Sequence, residues 1–147
     1  MEIHSCQGLE HQGCQQFLDR HWPSANQQQF GWTDQQRWQK EHFTLWAEEK
    51  GEIIGVALGW TLGGVGYLSQ LLVAREHRQR GVGSKLVKAF EHKCSRCHKL
   101  ALKTYKNSAS QCFYAGLGYR VESIIANDIH GIDWVYMYKE PDNDPAC

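Results

Sequence analysis

Between Ile53 and Ala74 the chain carries no formal charge for 22 residues, and directly beyond it, over residues 75–106, stand ten Lys/Arg against two Asp/Glu. This junction constrains the fold most. An uncharged run of that length, with Gly55, Gly59 and Gly63 at GxxxG spacing, raises a membrane-spanning helix. Gly63-Gly64-Val65-Gly66 would break such a helix at its centre, and Thr61, Ser69 and Gln70 dilute its hydrophobicity. The run therefore predicts two buried strands joined by a glycine turn. Residues 43–49 add a strand before them, giving three antiparallel strands.

Beyond Arg75 the period changes. Val82, Leu86, Phe90 and Cys94 recur every four residues, and Lys85, Lys88, Glu91 and Lys93 take the other faces. This is an amphipathic helix following directly on a buried strand. Residues 100–105 read as a strand, 108–117 as a helix capped by Gly118, and 119–126 and 132–139 as a final strand pair. The tail from Glu140 reads as loose. Strands alternating with helices only in the second half predict an α/β (α+β) domain with a mixed sheet. The length of 147 residues suits one such domain.

The N-terminal third differs. Ten of the thirteen glutamines lie between Gln7 and Gln39, interleaved with Trp22, Phe30, Trp32 and Trp38, which argues against a disordered polar tract. Residues 13–21 and 34–42 read as short helices, the first closed by Trp22-Pro23 and the second capped by Thr33 or Asp34. The organisation expected is one domain over residues 1–147, with N-terminal helices over 1–42 and a core over 43–139.

Formal charges cancel overall, yet residues 1–74 hold four Lys/Arg and eight Asp/Glu, 75–106 hold ten and two, and 107–147 hold two and six. The basic segment suits a compact polyanion better than nucleic acid, whose long backbone the acidic flanks would repel. The segment Leu71-Leu72-Val73-Ala74-Arg75-Glu76-His77-Arg78-Gln79-Arg80-Gly81-Val82-Gly83-Ser84 runs strand, turn, helix. Gly81 and Gly83 leave backbone N–H groups uncovered where the helix dipole is positive, so phosphate oxygens can approach closely. A Walker loop is absent, and the dinucleotide fingerprint fails on its glycine spacing and on Ser95-Arg96-Cys97 near the acid's place.

At these residues the sequence resembles the GNAT superfamily of N-acetyltransferases. Arg78-Gln79-Arg80-Gly81-Val82-Gly83 matches the family's pyrophosphate loop, [QR]-x-x-G-x-[GA]. Asn107-Ser-Ala-Ser-Gln-Cys-Phe113-Tyr114-Ala-Gly-Leu-Gly118-Tyr119 resembles N-x-x-A-x-x-F-Y-x-x-x-G-[FY], with Ser110 at the alanine position. The resemblance covers residues 43–139 and fades over 1–42. It implies a GNAT-type mixed, mainly antiparallel twisted sheet with helices on both faces. It also implies transfer of acetyl from acetyl-CoA to an amine by direct attack in a ternary complex. By resemblance, Leu72 and Val73 would pair with the pantetheine arm, and Arg78, Gln79, Arg80, Gly81, Val82, Gly83 and Ser84 would hold the pyrophosphate. Asn107 would contact the pantetheine. Tyr114 would contact the cofactor and protonate the leaving thiolate, whose thiol has a pKa of about 8.5. A backbone N–H near Val73 would polarise the thioester carbonyl.

The base is less defined. Relatives often place Glu or His where this chain has Ser69 and Tyr67. Period-two alternation sets Tyr67, Ser69, Leu71 and Val73 on one face, where Tyr67 or Ser69 would order a water that accepts the proton. His130 is the alternative. Glu48, Glu49 and Glu52 read as solvated turn residues. One or two of Trp32, Trp46, Trp60 and Trp134 would border an acceptor pocket. The expected acceptor is a small-molecule amine, with a protein or peptide amine as runner-up and an acetyl-CoA-binding sensor as the non-catalytic alternative. No metal, membrane or nucleic-acid partner is expected, and dimers are common in the family. Six cysteines and no secretory leader suit a cytoplasmic protein. Cys94-Ser-Arg-Cys97-His98 matches the c-type haem pattern, but Cys94 continues the apolar stripe of its helix.

Overall fold

The reversal at Gly63-Gly64 sets the sheet. A computed structural model of the chain describes residues 1–9 and 11–142. Strand β2 (Glu52–Leu62) and strand β3 (Val65–Val73) pair antiparallel across that turn, and β1 (Glu41–Glu49) pairs antiparallel with β2. Both turn glycines take positive φ, at 57° and 82°, which a residue without Cβ adopts freely. Helix α2 (Val82–Lys93) carries the chain to β4 (Lys99–Tyr105), which runs parallel to β3. Helix α3 (Ala109–Gly116) then leads to β5 (Arg120–Ile125) and β6 (Trp134–Lys139). The sheet has six strands in the order β1-β2-β3-β4-β6-β5, antiparallel at every junction except β3–β4. This is the mixed, mainly antiparallel sheet expected from the sequence.

One sheet face holds the core. Ala57, Leu68, Leu100, Leu102, Val135 and Met137 meet Leu86, Val87, Phe90 and Cys94 of the α2 segment and Tyr114 of α3. Cys94 of the haem-like pattern thus sits in the core, its thiol pushed up to about 12 by burial. On the opposite face Trp60 stacks on Tyr67 at 4.8 Å, and Tyr67 on Tyr136 at 6.4 Å.

Gly59 is where the core admits nothing larger. A Cβ there would lie 2.7 Å from the Phe43 ring and 2.8 Å from the Tyr67 carbonyl oxygen. The ring can shift; the backbone oxygen cannot do so without disturbing the β2–β3 ladder. Gly59→Ala is expected to cost about 1–3 kcal/mol, seen as a lower urea midpoint at unchanged slope. An unchanged midpoint would show that the strand pair yields more easily than its packing implies.

The described residues form two compact units, Met1–Gln39 and one that begins at Lys40. In the first, α1 runs from Gln12 to Phe30. It does not stop at Trp22-Pro23, as the sequence suggests. Pro23 lies inside the helix and removes one backbone donor. The helix nevertheless continues to Gly31, whose φ of 75° ends it with a bond from its N–H to the Gln27 carbonyl. Around that stop, Phe30, Trp32 and Trp38 cluster with ring centroids 5.3–5.8 Å apart. The second expected helix is a single 3-10 turn, Gln35–Trp38, capped by Asp34. Of the tail, residues 143–147 lie outside the described residues.

Candidate active site

The β3–β4 pair is short. Its register runs from Val65–Lys99 to Leu68–Leu102 and stops there. Ser69–Val73 therefore continues past the end of its parallel partner. On the other side, β3 carries a bulge. Leu58 pairs with Gln70 and Gly59 with Leu68, so Ser69 is the extra residue. Its hydroxyl donates to the Leu58 carbonyl oxygen at 3.0 Å. The bulge shifts the alternation by one. Leu71 and Val73 pack on the core side, as Leu68 does, while Tyr67 stacks on Trp60 across the opposite face. The single face expected for Tyr67, Ser69, Leu71 and Val73 is thus divided at Ser69.

Two cavities meet at this divergence. The larger, about 650 Å³, is walled by Leu71, Leu72, Val73, Arg78, Gln79, Gly81, Val82, Gly83, Ser84, Ala109, Ser110, Phe113 and Tyr114. The smaller, about 310 Å³, adds Leu68, Ser69, Gln70, Lys103, Thr104, Tyr105 and Trp134 and shares Leu71, Leu72, Ser110 and Tyr114 with the larger. A third cavity, of about 640 Å³, lies within the N-terminal unit among Trp22, Asn26, Phe30 and Trp38, and none of its walls is an ionisable residue.

The turn before α2 presents backbone donors to the larger cavity. Gln79 and Gly81 have φ of 60° and 81°, which aims successive N–H groups toward one side. The first helical bond runs from the Lys85 N–H to the Gly81 carbonyl. The N–H groups of Val82, Gly83 and Ser84 therefore have no acceptor within the helix. Gly83 keeps the wall open, since a Cβ there would lie 3.3 Å from the Phe113 ring. Such a surface accepts a compact anion.

The two arginines of this turn part company. Arg78 lines the cavity, and its Nε donates to the Val73 carbonyl oxygen at 3.0 Å. Arg80 turns away. It holds Glu49 at 3.0 and 3.4 Å and approaches His77 Nδ1 at 2.6 Å. The guanidinium holds the Glu49 carboxyl below its ordinary range. Glu49 is thus an ion-pair partner at the end of β1, where the sequence suggests a solvated turn residue. Spacing alone did not reveal this, because the partners stand 31 positions apart.

Tyr114 sits on the wall common to both cavities and is 8% exposed. Its ring packs edge-on against Phe113 at 5.1 Å and Tyr119 at 6.0 Å. Among the described residues its hydroxyl makes no side-chain hydrogen bond, and the residue walls both cavities. Burial pushes the Tyr114 phenol up to about 12. At neutral pH it therefore carries its proton.

The remaining candidates lie elsewhere. Asn107 takes φ 57° and its N–H donates to Gln111 Oε1 at 2.6 Å; it walls neither cavity. Tyr67 walls neither, whereas Ser69 lines the smaller one. His130 is exposed in the turn before β6. Of the four tryptophans, Trp134 alone borders the smaller cavity, with its ring 4.3 Å from Tyr105. Sequence reasoning missed Leu71, Ala109, Ser110 and Phe113 as wall residues and Thr104, Lys103 and Gln70 beside the divergence. The α3 residues share a helical face with Tyr114, which was the available signal.

The acetyltransferase (GNAT) family model matches residues 11–119. No curated protein matches the chain. Among solved structures, an acetyltransferase from Bacillus cereus superposes with a TM-score of 0.69 at 20% identity, covering 94% of this chain and 97% of that one. A ribosomal-protein-S18-alanine N-acetyltransferase from Escherichia coli gives 0.63 at 17% identity, over 72% and 73%. A GNAT family acetyltransferase from Elizabethkingia anophelis, with acetyl-CoA bound, gives 0.61 at 21%, over 66% and 74%. At these identities the likeness is one of fold.

Proposed function

This chain belongs to the acetyltransferase (GNAT) family, and from that membership we propose that it moves the acetyl group of acetyl-CoA to the amine of a small molecule by direct attack in a ternary complex. It is an acyltransferase, and its donor is acetyl-CoA. Acetyl-CoA supplies an activated acyl group on a thiol whose pKa is about 8.5.

The cavity suits that donor on its own geometry. The uncapped N–H groups at the start of α2 and the side chain of Arg78 offer charge-complementary contacts to a pyrophosphate. Gly83 leaves room beside Phe113 that a Cβ would fill. Ser69–Val73, free of its parallel partner, offers backbone groups to an extended arm. Tyr114 would donate its proton to the departing thiolate. An N–H near Val73 would meet the charge that develops on the carbonyl oxygen. Holding amine and acyl carbon together supplies much of the rate.

The observation that carries the proposal is the meeting of the two cavities at Tyr114, one with an anion-binding end and one open to a second reactant. Acetyl-CoA-dependent release of CoA tests it, measured over polyamines, aminoglycosides, amino acids and short peptides, with wells lacking acceptor as controls. Turnover of one small-molecule class is expected. Turnover of peptides alone would move the acceptor to a protein amine. Binding without turnover throughout would favour the sensor.

The arginines give a finer test. Arg78→Gln is expected to weaken acetyl-CoA binding by about tenfold, the scale of one charge-assisted hydrogen bond. Arg80→Gln is expected to weaken it by no more than about threefold, since Glu49 already holds that guanidinium. Calorimetric titration checks both, and the reverse ranking would place Arg80 on the phosphates.

A further inference from the structure

We infer that the acceptor is a weakly basic amine of the α-amino type, because among the described residues no carboxylate or imidazole lines the transfer cleft to deprotonate an alkylammonium ion. This rests on the acetyl transfer proposed above and narrows its second substrate.

The smaller cavity has three ionisable side chains on its wall, Lys103, Tyr105 and Tyr114. Lys103 is ion-paired with Asp128 and lies 5.0 Å from the Trp134 ring centroid. The Asp128 carboxyl is held below its ordinary range by that ammonium, and Asp128 is not a wall residue. The larger cavity adds Arg78. No Asp, Glu or His lines either cavity among the described residues. Tyr67 is turned to the other sheet face, half-buried and stacked between Trp60 and Tyr136. His130 is exposed in its turn. The formal charges around the cleft, Lys103 and Arg78, also give a polyamine nothing to pair with.

An amine attacks only with its lone pair free. The C–N bond forms as the C–S bond breaks, the nitrogen gives up one proton to water, the sulfur takes one from Tyr114, and water returns a proton to the phenolate. Thr104, 6% exposed, lines the cleft and makes no side-chain hydrogen bond among the described residues, so its hydroxyl is free to order that water. With no carboxylate or imidazole on either wall among the described residues, the acceptor must lose its first proton before attack. An α-amine of pKa about 7.8 is neutral in about one molecule in seven at pH 7, and a lysyl ε-amine of pKa about 10.4 in about one in 2,500. The higher nucleophilicity of the more basic amine recovers part of this ratio of about 350.

The test uses the full chain, acetyl-CoA and two probes: an uncharged dipeptide amide with a free α-amine, and N-acetyl-lysine amide, whose only amine is the ε-amine. CoA release is followed from about pH 6 to about pH 9.5, a span that brackets the α-amine pKa. The α-amine is expected to be used at least about tenfold better at pH 7, with kcat/KM levelling near pH 8, its own pKa. The ε-amine profile should climb throughout with unit slope. A bend at the same pH for both probes would reveal an enzyme base and overturn the inference. Better use of the lysine probe at neutral pH would do the same, as would turnover of neither probe by protein that binds acetyl-CoA. Failure to bind acetyl-CoA would instead strike the acetyl-transfer proposal itself.

Discussion

Gly83→Glu is expected to abolish acetyl-CoA binding in a chain that stays folded. The substitution sets a carboxylate among the free N–H groups of the first turn of α2, where the cofactor's pyrophosphate is proposed to sit. Each charge-assisted hydrogen bond lost there is worth about 1.5–3 kcal/mol. Loss of two, with repulsion added, lowers affinity by at least about a thousandfold. Folding is affected far less. A carboxylate at a helix N-terminus gains about 0.3–1 kcal/mol, and replacing a helical glycine gains about 0.5–1 kcal/mol. Against this stands the Cβ, 3.3 Å from the Phe113 ring, which must give by a few tenths of an ångström. Gly83→Ala adds the same Cβ without the charge and is expected to lose affinity only a few-fold. Thermal unfolding and calorimetric titration of the two variants together separate crowding from charge. Unchanged affinity in a folded Gly83→Glu protein would remove the loop from the cofactor site.

Tyr114→Phe is expected to lower kcat by about 10²–10³-fold, the range of a positioned general acid, while acetyl-CoA affinity changes by less than about twofold. The ring's contacts with Phe113 and Tyr119 survive the substitution. What is lost is a hydroxyl that has no hydrogen-bond partner among the described residues, on a side chain that walls both cavities. Its pKa, pushed up to about 12, has a direct consequence. The protonated phenol is the active form, and raising its pKa preserves that form through alkaline pH. Wild-type activity should therefore show no decline attributable to Tyr114 below about pH 10. Equal kcat in the variant would leave Tyr114 as a packing residue alone.

Much of this architecture was legible because short-range rules set it. The charge-free run, its glycine turn and the four-residue period after Arg75 each specify a local structure, and each is found where expected. The Pro23 boundary was not legible. A proline inside a helix is a local cost, and continuation to Phe30 depends on residues beyond it. The bulge at Ser69 was equally hidden, since it is a property of the β2–β3 pair and of neither strand alone. It reverses the face of Tyr67, which is why alternation grouped that residue with Leu71 and Val73. Arg80 shows the same limit. Its place in the loop is local, but its partner Glu49 ends a strand far back in the chain. The wall residues of α3 were readable in principle, once Tyr114 fixed which helix face matters.

The central claim is that the β3 edge, the turn before α2 and the face of α3 together hold acetyl-CoA. Amide hydrogen exchange of the chain with and without acetyl-CoA tests it most directly. The account predicts protection concentrated in Ser69–Val73, Gln79–Ser84 and the first turns of α3, with β5 little changed. Protection absent from Gln79–Ser84, or confined to another part of the chain, would contradict it.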